Sequence, residues 1–70
     1  MTLGQKIKRH RTNSGMTQSE YGEKYGATKS MVSYWESDTN KPNIKRLKLI
    51  ADDLGITVIE LLEGEKDGNI

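Results

Sequence analysis

Residues 18–36 read QSEYGEKYGATKSMVSYWE, two short helical runs joined by Gly26-Ala27-Thr28, and everything flanking them reads as support for that pair. Thr17 precedes the first run and Glu20 stands three residues later. That is the spacing of a capping box, in which each side chain satisfies a backbone amide left unpaired at the helix start. Gly26 ends the run, because the residue past a helix end often turns left-handed and glycine does so without a Cβ penalty. Thr28 is placed to cap the second run. There Val32 and Trp35 lie three apart and share a face, whereas Lys29, Ser30, Ser33 and Tyr34 point the other way. The spacing predicts a helix with one apolar face and, opposite, a row of hydrogen-bonding tips.

Upstream, Thr2 caps a first predicted helix running to about Ser14, with Leu3, Ile7, His10 or Arg11, and Ser14 at helical spacing and Gly15 closing it. Met16 is expected beneath the first turn of helix 2. Tyr21 and Tyr25 fall on that helix's inner face and read as core residues whose hydroxyls reach water. Gly22 costs the helix about 0.5–1 kcal/mol relative to alanine, and it is read as room for a neighbouring helix to approach closely. Downstream, SDTNKPN is a polar loop, Pro42 favours an extended approach and Asn43 caps a fourth helix. Its stripe is Ile44, Leu47, Ile50, Ala51 and Leu54, before Gly55. Thr57 and Glu60 form another capping box and open a short helix holding Val58, Ile59, Leu61 and Leu62, with Leu62 expected to fill the core and Gly64 to end it. The prediction is an all-α, compact five-helix domain over residues 1–63. Residues 64–70 are a polar tail, either a true terminus or a linker.

Composition narrows the function. Seventy residues make one small domain with an economical core, and the absence of cysteine excludes a disulfide framework or thiolate metal site. His10 is the only histidine, with no second ligand to complete a metal site, so it is read as a packed or hydrogen-bonded structural residue. No catalytic constellation is visible, and neither an enzyme nor a cofactor or metal is predicted. No apolar run approaches the roughly 20 residues needed to span a bilayer, and the N-terminus lacks the apolar core of a signal peptide. The expectation is a cytoplasmic protein with no membrane partner. The net charge of +1 hides a division: residues 1–48 carry ten Lys/Arg against four acids, and residues 49–70 one Lys against six. The division predicts that one side can be electropositive, as phosphate binding requires. Lys6, Lys8 and Arg9 belong either to that surface or to an ordinary solvated helix face.

The run MTQSEYGEKYGATKSMVSYWESDTNKPN resembles the helix-turn-helix of the lambda-repressor-like DNA-binding family, of Cro and xenobiotic-response-element type. Gln18 opens the first helix of the motif, Gly26 makes its turn, Val32 and Trp35-Glu36 lie on the second, and Pro42 precedes the next. The likeness continues through IADDLGITVIELL and covers residues 3–62. It implies sequence-specific binding of double-stranded DNA by a prokaryotic or phage transcriptional regulator, a repressor, with helix 3 in the major groove. It further implies base contacts from Lys29, Ser30, Ser33 and Tyr34, with Lys29 and Ser30 foremost, and phosphate contacts from Thr17, Gln18, Ser37, Asn40 and Lys41. Arg11 would pair with Glu36 and tie helix 1 to helix 3.

The chain departs from the family at several positions. His10, Tyr21 and Tyr25 stand where leucine is usual and Gly22 where alanine is. Asp38 replaces a common glycine, so helix 3 is expected to end less sharply. Ile59 stands where an acidic residue is frequent. With Val58 it marks either the interface of a weak homodimer on a two-fold operator or the completion of the chain's own core. The rival functional class is a protein-binding module on the same helices, such as the antitoxin of a toxin–antitoxin pair.

Overall fold

The computed structural model describes residues 1–63, which form five helices and no strand. They are α1 (Leu3–Asn13), α2 (Gln18–Tyr25), α3 (Lys29–Glu36), α4 (Ile44–Leu54) and α5 (Val58–Glu63). Gly64 and the tail lie outside the described residues. Capping chemistry starts each helix where the sequence indicates. Thr2, Thr17 and Thr57 each accept the amide three residues on, and the Gln5, Glu20 or Glu60 side chain reaches back to the cap's own amide. Thr28 and Asn43 cap α3 and α4 through their side chains alone.

The core joins all five helices: Leu3 and Ile7 of α1, Tyr21 and Tyr25 of α2, Val32 and Trp35 of α3, Leu47, Ile50 and Ala51 of α4, and Leu61 of α5. Met16, half-buried, packs against it. Three expectations about this core change. Ile44 is 68% exposed and Leu54 lies at the surface, because the α4 stripe narrows to Leu47, Ile50 and Ala51 once α2 and α5 have covered it. Leu61, not Leu62, is the fully buried residue of α5, with Leu62 and Val58 half-buried at the edge. The tyrosine hydroxyls do not reach out to water as their principal partner. Tyr21 Oη lies 2.9 Å from His10 Nδ1, and Tyr25 Oη donates to Asp53 Oδ2 at 2.6 Å, so each hydroxyl is satisfied inside the protein.

That polar chain links α1, α2 and α4 behind the helix-turn-helix. His10 meets the Tyr21 ring edge-on, and Lys24 completes the group through an ion pair to Asp53 at 3.1 Å. Burial raises both phenols above their ordinary range, and the Tyr25 hydroxyl with Lys24 holds Asp53 below the usual carboxylate range. Burial also lowers His10 below 6.5, nearby Lys24 adding to the effect and Asp53 opposing it. The folded state therefore favours neutral His10. Its contribution is fully present above the unfolded pKa of about 6.5 and is lost as pH falls through the lowered folded value. Urea midpoints measured between pH 7.5 and pH 5 should fall more for the wild type than for His10→Gln; parallel curves would remove His10 from this role.

The loop after α3 holds the largest departure from expectation. Asp38 takes φ 61°, the one left-handed non-glycine among the described residues, so α3 stops as sharply as a glycine would stop it. Aspartate tolerates this conformation better than most residues, and here its carboxylate has partners. Oδ1 accepts the Gly4 amide at 2.8 Å and Oδ2 the Thr2 hydroxyl at 2.7 Å. An anion at the α1 N-terminus also suits the helix dipole.

Candidate nucleic-acid interface

The α2–α3 pair owes its geometry to a tight turn. Gly26 is left-handed at φ 69°, and a Cβ on Gly22 would stand 2.5 Å from the Ala27 carbonyl oxygen. The approach that Gly22 permits is thus by the backbone of the turn itself rather than by another helix. Arg46 of α4 fixes the turn from outside, its Nε donating to the Tyr25 carbonyl at 3.0 Å and its Nη2 to the Gly26 carbonyl at 2.7 Å. Nothing in the sequence pointed to Arg46, since its partners are backbone oxygens some 20 residues away.

Glu36 anchors the far end of α3. Its Oε2 accepts Arg11 Nε at 2.6 Å, and its Oε1 accepts Arg11 Nη2 at 3.1 Å and Gln18 Nε2 at 3.2 Å. Arg11 also donates Nη1 to the Met16 carbonyl at 3.0 Å. The carboxylate and its guanidinium neutralise one another, and the Glu36 hydrogen bonds keep the guanidinium charged. Because a carboxylate only accepts, the Gln18 amide must present its nitrogen to Glu36, which sets its orientation at the start of α2.

With both ends held, α3 turns Val32 and Trp35 into the core and leaves Lys29, Ser30, Ser33 and Tyr34 exposed. Those four residues and Gln18 line one open groove of about 280 Å³. Lys29 is the single charged member of that lining. Thr17 sits exposed at the α2 N-terminus, and Ser37, Asn40 and Lys41 lie exposed on the loop after α3. The Ser37 hydroxyl donates to the Tyr34 carbonyl at 3.2 Å and lies 2.8 Å from the Thr39 hydroxyl. The structure gathers the α3 row and Gln18 around one groove and leaves the loop residues beside it on a separate segment. No group of three or more His, Cys, Asp or Glu among the described residues is arranged to hold a metal. No helix among them is long and apolar enough to cross a membrane.

This geometry has known counterparts. A family model described as helix-turn-helix matches residues 7–61. The HTH-type transcriptional activator BcrR of Enterococcus faecalis is 33% identical over 66 residues, which make up 94% of this chain and 32% of that protein. The immunity repressor protein of Bacillus phage phi105 is 34% identical over 65 residues, 93% of this chain and 45% of that protein. The chain thus spans less than half the length of these curated relatives. Among solved structures, the P22 c2 repressor in complex with a synthetic operator aligns with a TM-score of 0.80 at 25% identity, covering 91% of this chain and 97% of that one. The SinR/SinI protein complex aligns with a TM-score of 0.73 at 34% identity, covering 99% of this chain and 67% of that one.

Proposed function

The chain belongs to the helix-turn-helix family, and from that membership we propose that residues 1–63 form a domain that binds double-stranded DNA sequence-specifically as part of a cytoplasmic transcriptional repressor. The single observation that supports this most is the groove formed by Gln18 and the α3 row, which presents polar tips and one cation on a helix held at both ends. A helix so fixed loses little freedom when it enters a major groove. In this reading Lys29 donates to guanine O6 and N7, Ser30 and Ser33 donate or accept at base edges, and Tyr34 meets a thymine methyl or a phosphate. Thr17, Gln18, Ser37, Asn40 and Lys41 hold phosphates, helped by the amides at the α2 N-terminus. No catalytic role is proposed.

The two kinds of contact separate by experiment. Lys29→Ala and Ser30→Ala should weaken binding chiefly to the preferred operator, by about 1–3 kcal/mol each, whereas Gln18→Ala should lower affinity for all duplexes by similar factors. Equal losses for Lys29→Ala on operator and random DNA would move Lys29 to the phosphate set. Titration with random-sequence duplex at several salt concentrations tests the reading as a whole: affinity should fall steeply as salt rises. A chain that binds no duplex at low salt would instead be a protein-binding module.

One recognition helix reads few base pairs, so the proposal includes a weak homodimer on two half-sites about 10 base pairs apart. Val58 is half-buried against the core, and Ile59, at 71% exposed, is the α5 residue left to make the contact.

A further inference from the structure

On the side of α1 turned away from α3, a second groove of about 280 Å³ opens against the corner between α4 and α5. Met1, Leu54 and Ile56 supply apolar surface, Lys6, Arg9 and Asn13 supply polar surface, and no Asp or Glu among the described residues lines it. The Lys6 ammonium is already committed. It donates to the Glu60 and Leu61 carbonyls at 3.0 and 3.1 Å, which ties α5 to this side of α1. The Arg9 guanidinium has no protein partner among the described residues.

An apolar floor beside an unpaired cation fits an apolar side chain followed one helical turn later by a carboxylate. Ile59 and Glu63 make such a pair, four apart on α5 and both exposed. The remaining exposed apolar side chains among the described residues do not suit the groove. Ile44 is accompanied by Lys45, which the cationic rim repels. Leu49 has Asp53 four residues on, but that carboxylate is held by Tyr25 and Lys24. Tyr34 belongs to the α3 row.

We propose that this groove receives Ile59 and Glu63 from a second copy of the chain, Ile59 seated on Leu54 and Ile56 and Glu63 against Arg9. The inference rests on the dimeric reading given above and adds the receiving surface to it. Lys6 lines the groove and also holds the Glu60 and Leu61 carbonyls, so α5 starts beside it, and a two-fold axis near α5 would make the contact reciprocal: each copy inserts its own Ile59 and accepts the other's, and assembly closes at two. The groove lies on the side of α1 away from α3, so both recognition helices stay open. A contact this small gives association that is weak alone and reinforced on DNA.

Sedimentation and amide chemical shifts test the proposal directly. As wild-type concentration rises from micromolar to millimolar, the signals of Arg9, Asn13, Leu54, Ile56 and Ile59 should shift together. Arg9→Glu and Glu63→Arg should each weaken self-association about tenfold at low salt, and the double variant should recover it. All these residues are at or near the surface, and helical circular dichroism checks that each variant folds. If Ile59→Asp abolishes association while Arg9→Glu leaves it intact, another surface receives Ile59 and the inference is overturned although the dimer stands. If neither variant changes it, the chain associates through another surface and the α5 contact falls with the inference; if the wild type stays monomeric on and off a two-half-site duplex, inference and dimer fall together. A double variant that does not recover overturns the pairing of Arg9 with Glu63. Signals of residues 64–70 that shift on Arg9→Glu in the monomer would give the groove to the chain's own tail, and that too overturns the inference.

Discussion

Arg11→Met is expected to lower the unfolding free energy by about 3 kcal/mol, the largest stability effect of any single side-chain replacement considered for this fold. The Arg11 and Glu36 side chains are only 14% and 6% exposed, so this pair belongs with buried ion pairs rather than surface ones. An exposed pair would contribute 1 kcal/mol or less. The cost arises less from the attraction lost than from what remains: a Glu36 carboxylate out of water with Gln18 Nε2 as its one remaining donor among the described residues, and a Met16 carbonyl without its guanidinium. Glu36→Gln should cost less than Arg11→Met, since the amide oxygen still accepts one of the two guanidinium bonds. Urea denaturation reads the effect, and urea is preferred because guanidinium chloride screens the pair. Wild-type midpoints for both variants would show that the pair contributes nothing to the fold.

Gly4→Ala sets two effects of opposite sign against each other. Alanine is better than glycine in a helix interior by about 1 kcal/mol. Against that, the new Cβ would stand 2.5 Å from the Trp35 carbonyl oxygen, 2.6 Å from that of Glu36 and 2.8 Å from Asp38 Oδ1. Two of the three are backbone atoms at the end of α3 and do not swing aside. Overpacking of this kind costs about 1–3 kcal/mol, and moving α1 away also strains the charge-assisted bond from the Gly4 amide to Asp38, one worth about 1.5–3 kcal/mol. The clash therefore wins, with an expected net loss of about 2 kcal/mol. Thermal unfolding should shift down by several degrees. A variant as stable as the wild type would mean that α1 and α3 separate without penalty, and that Asp38 is not the clasp between them.

Most of the framework was legible in the sequence because local chemistry specifies it. Thr2, Thr17, Thr28, Asn43 and Thr57 mark helix starts, Gly26 and Gly55 mark left-handed ends, and the spacing of Val32 and Trp35 separates the faces of α3. What was not legible depends on contacts between distant residues. Asp38 read as a poor glycine substitute because its second function, holding the start of α1, involves residues 34 and 36 positions away. Periodicity gave Ile44 and Leu54 to the core, but it cannot tell which end of a stripe a six-residue helix will reach. Likewise the tyrosines were recognisable as core, whereas their hydroxyl partners His10 and Asp53 emerge only once α1, α2 and α4 are assembled. At the α3 face, the resemblance supplied the functional assignment. The residues themselves supplied a polar, singly charged row, and the structure added Gln18 to its lining.

The central claim, that duplex DNA lies along α3, is tested most directly by titrating an operator, selected from a random duplex pool, into the isotopically labelled chain and following its backbone amide signals. The account predicts that the largest shifts fall on residues 17–18, 28–34 and 37–41, with the groove of Arg9, Leu54 and Ile56 responding only as far as a second copy joins on the same duplex. The largest shifts on the outer face of α1 or on α5, with residues 29–34 unmoved, would contradict it.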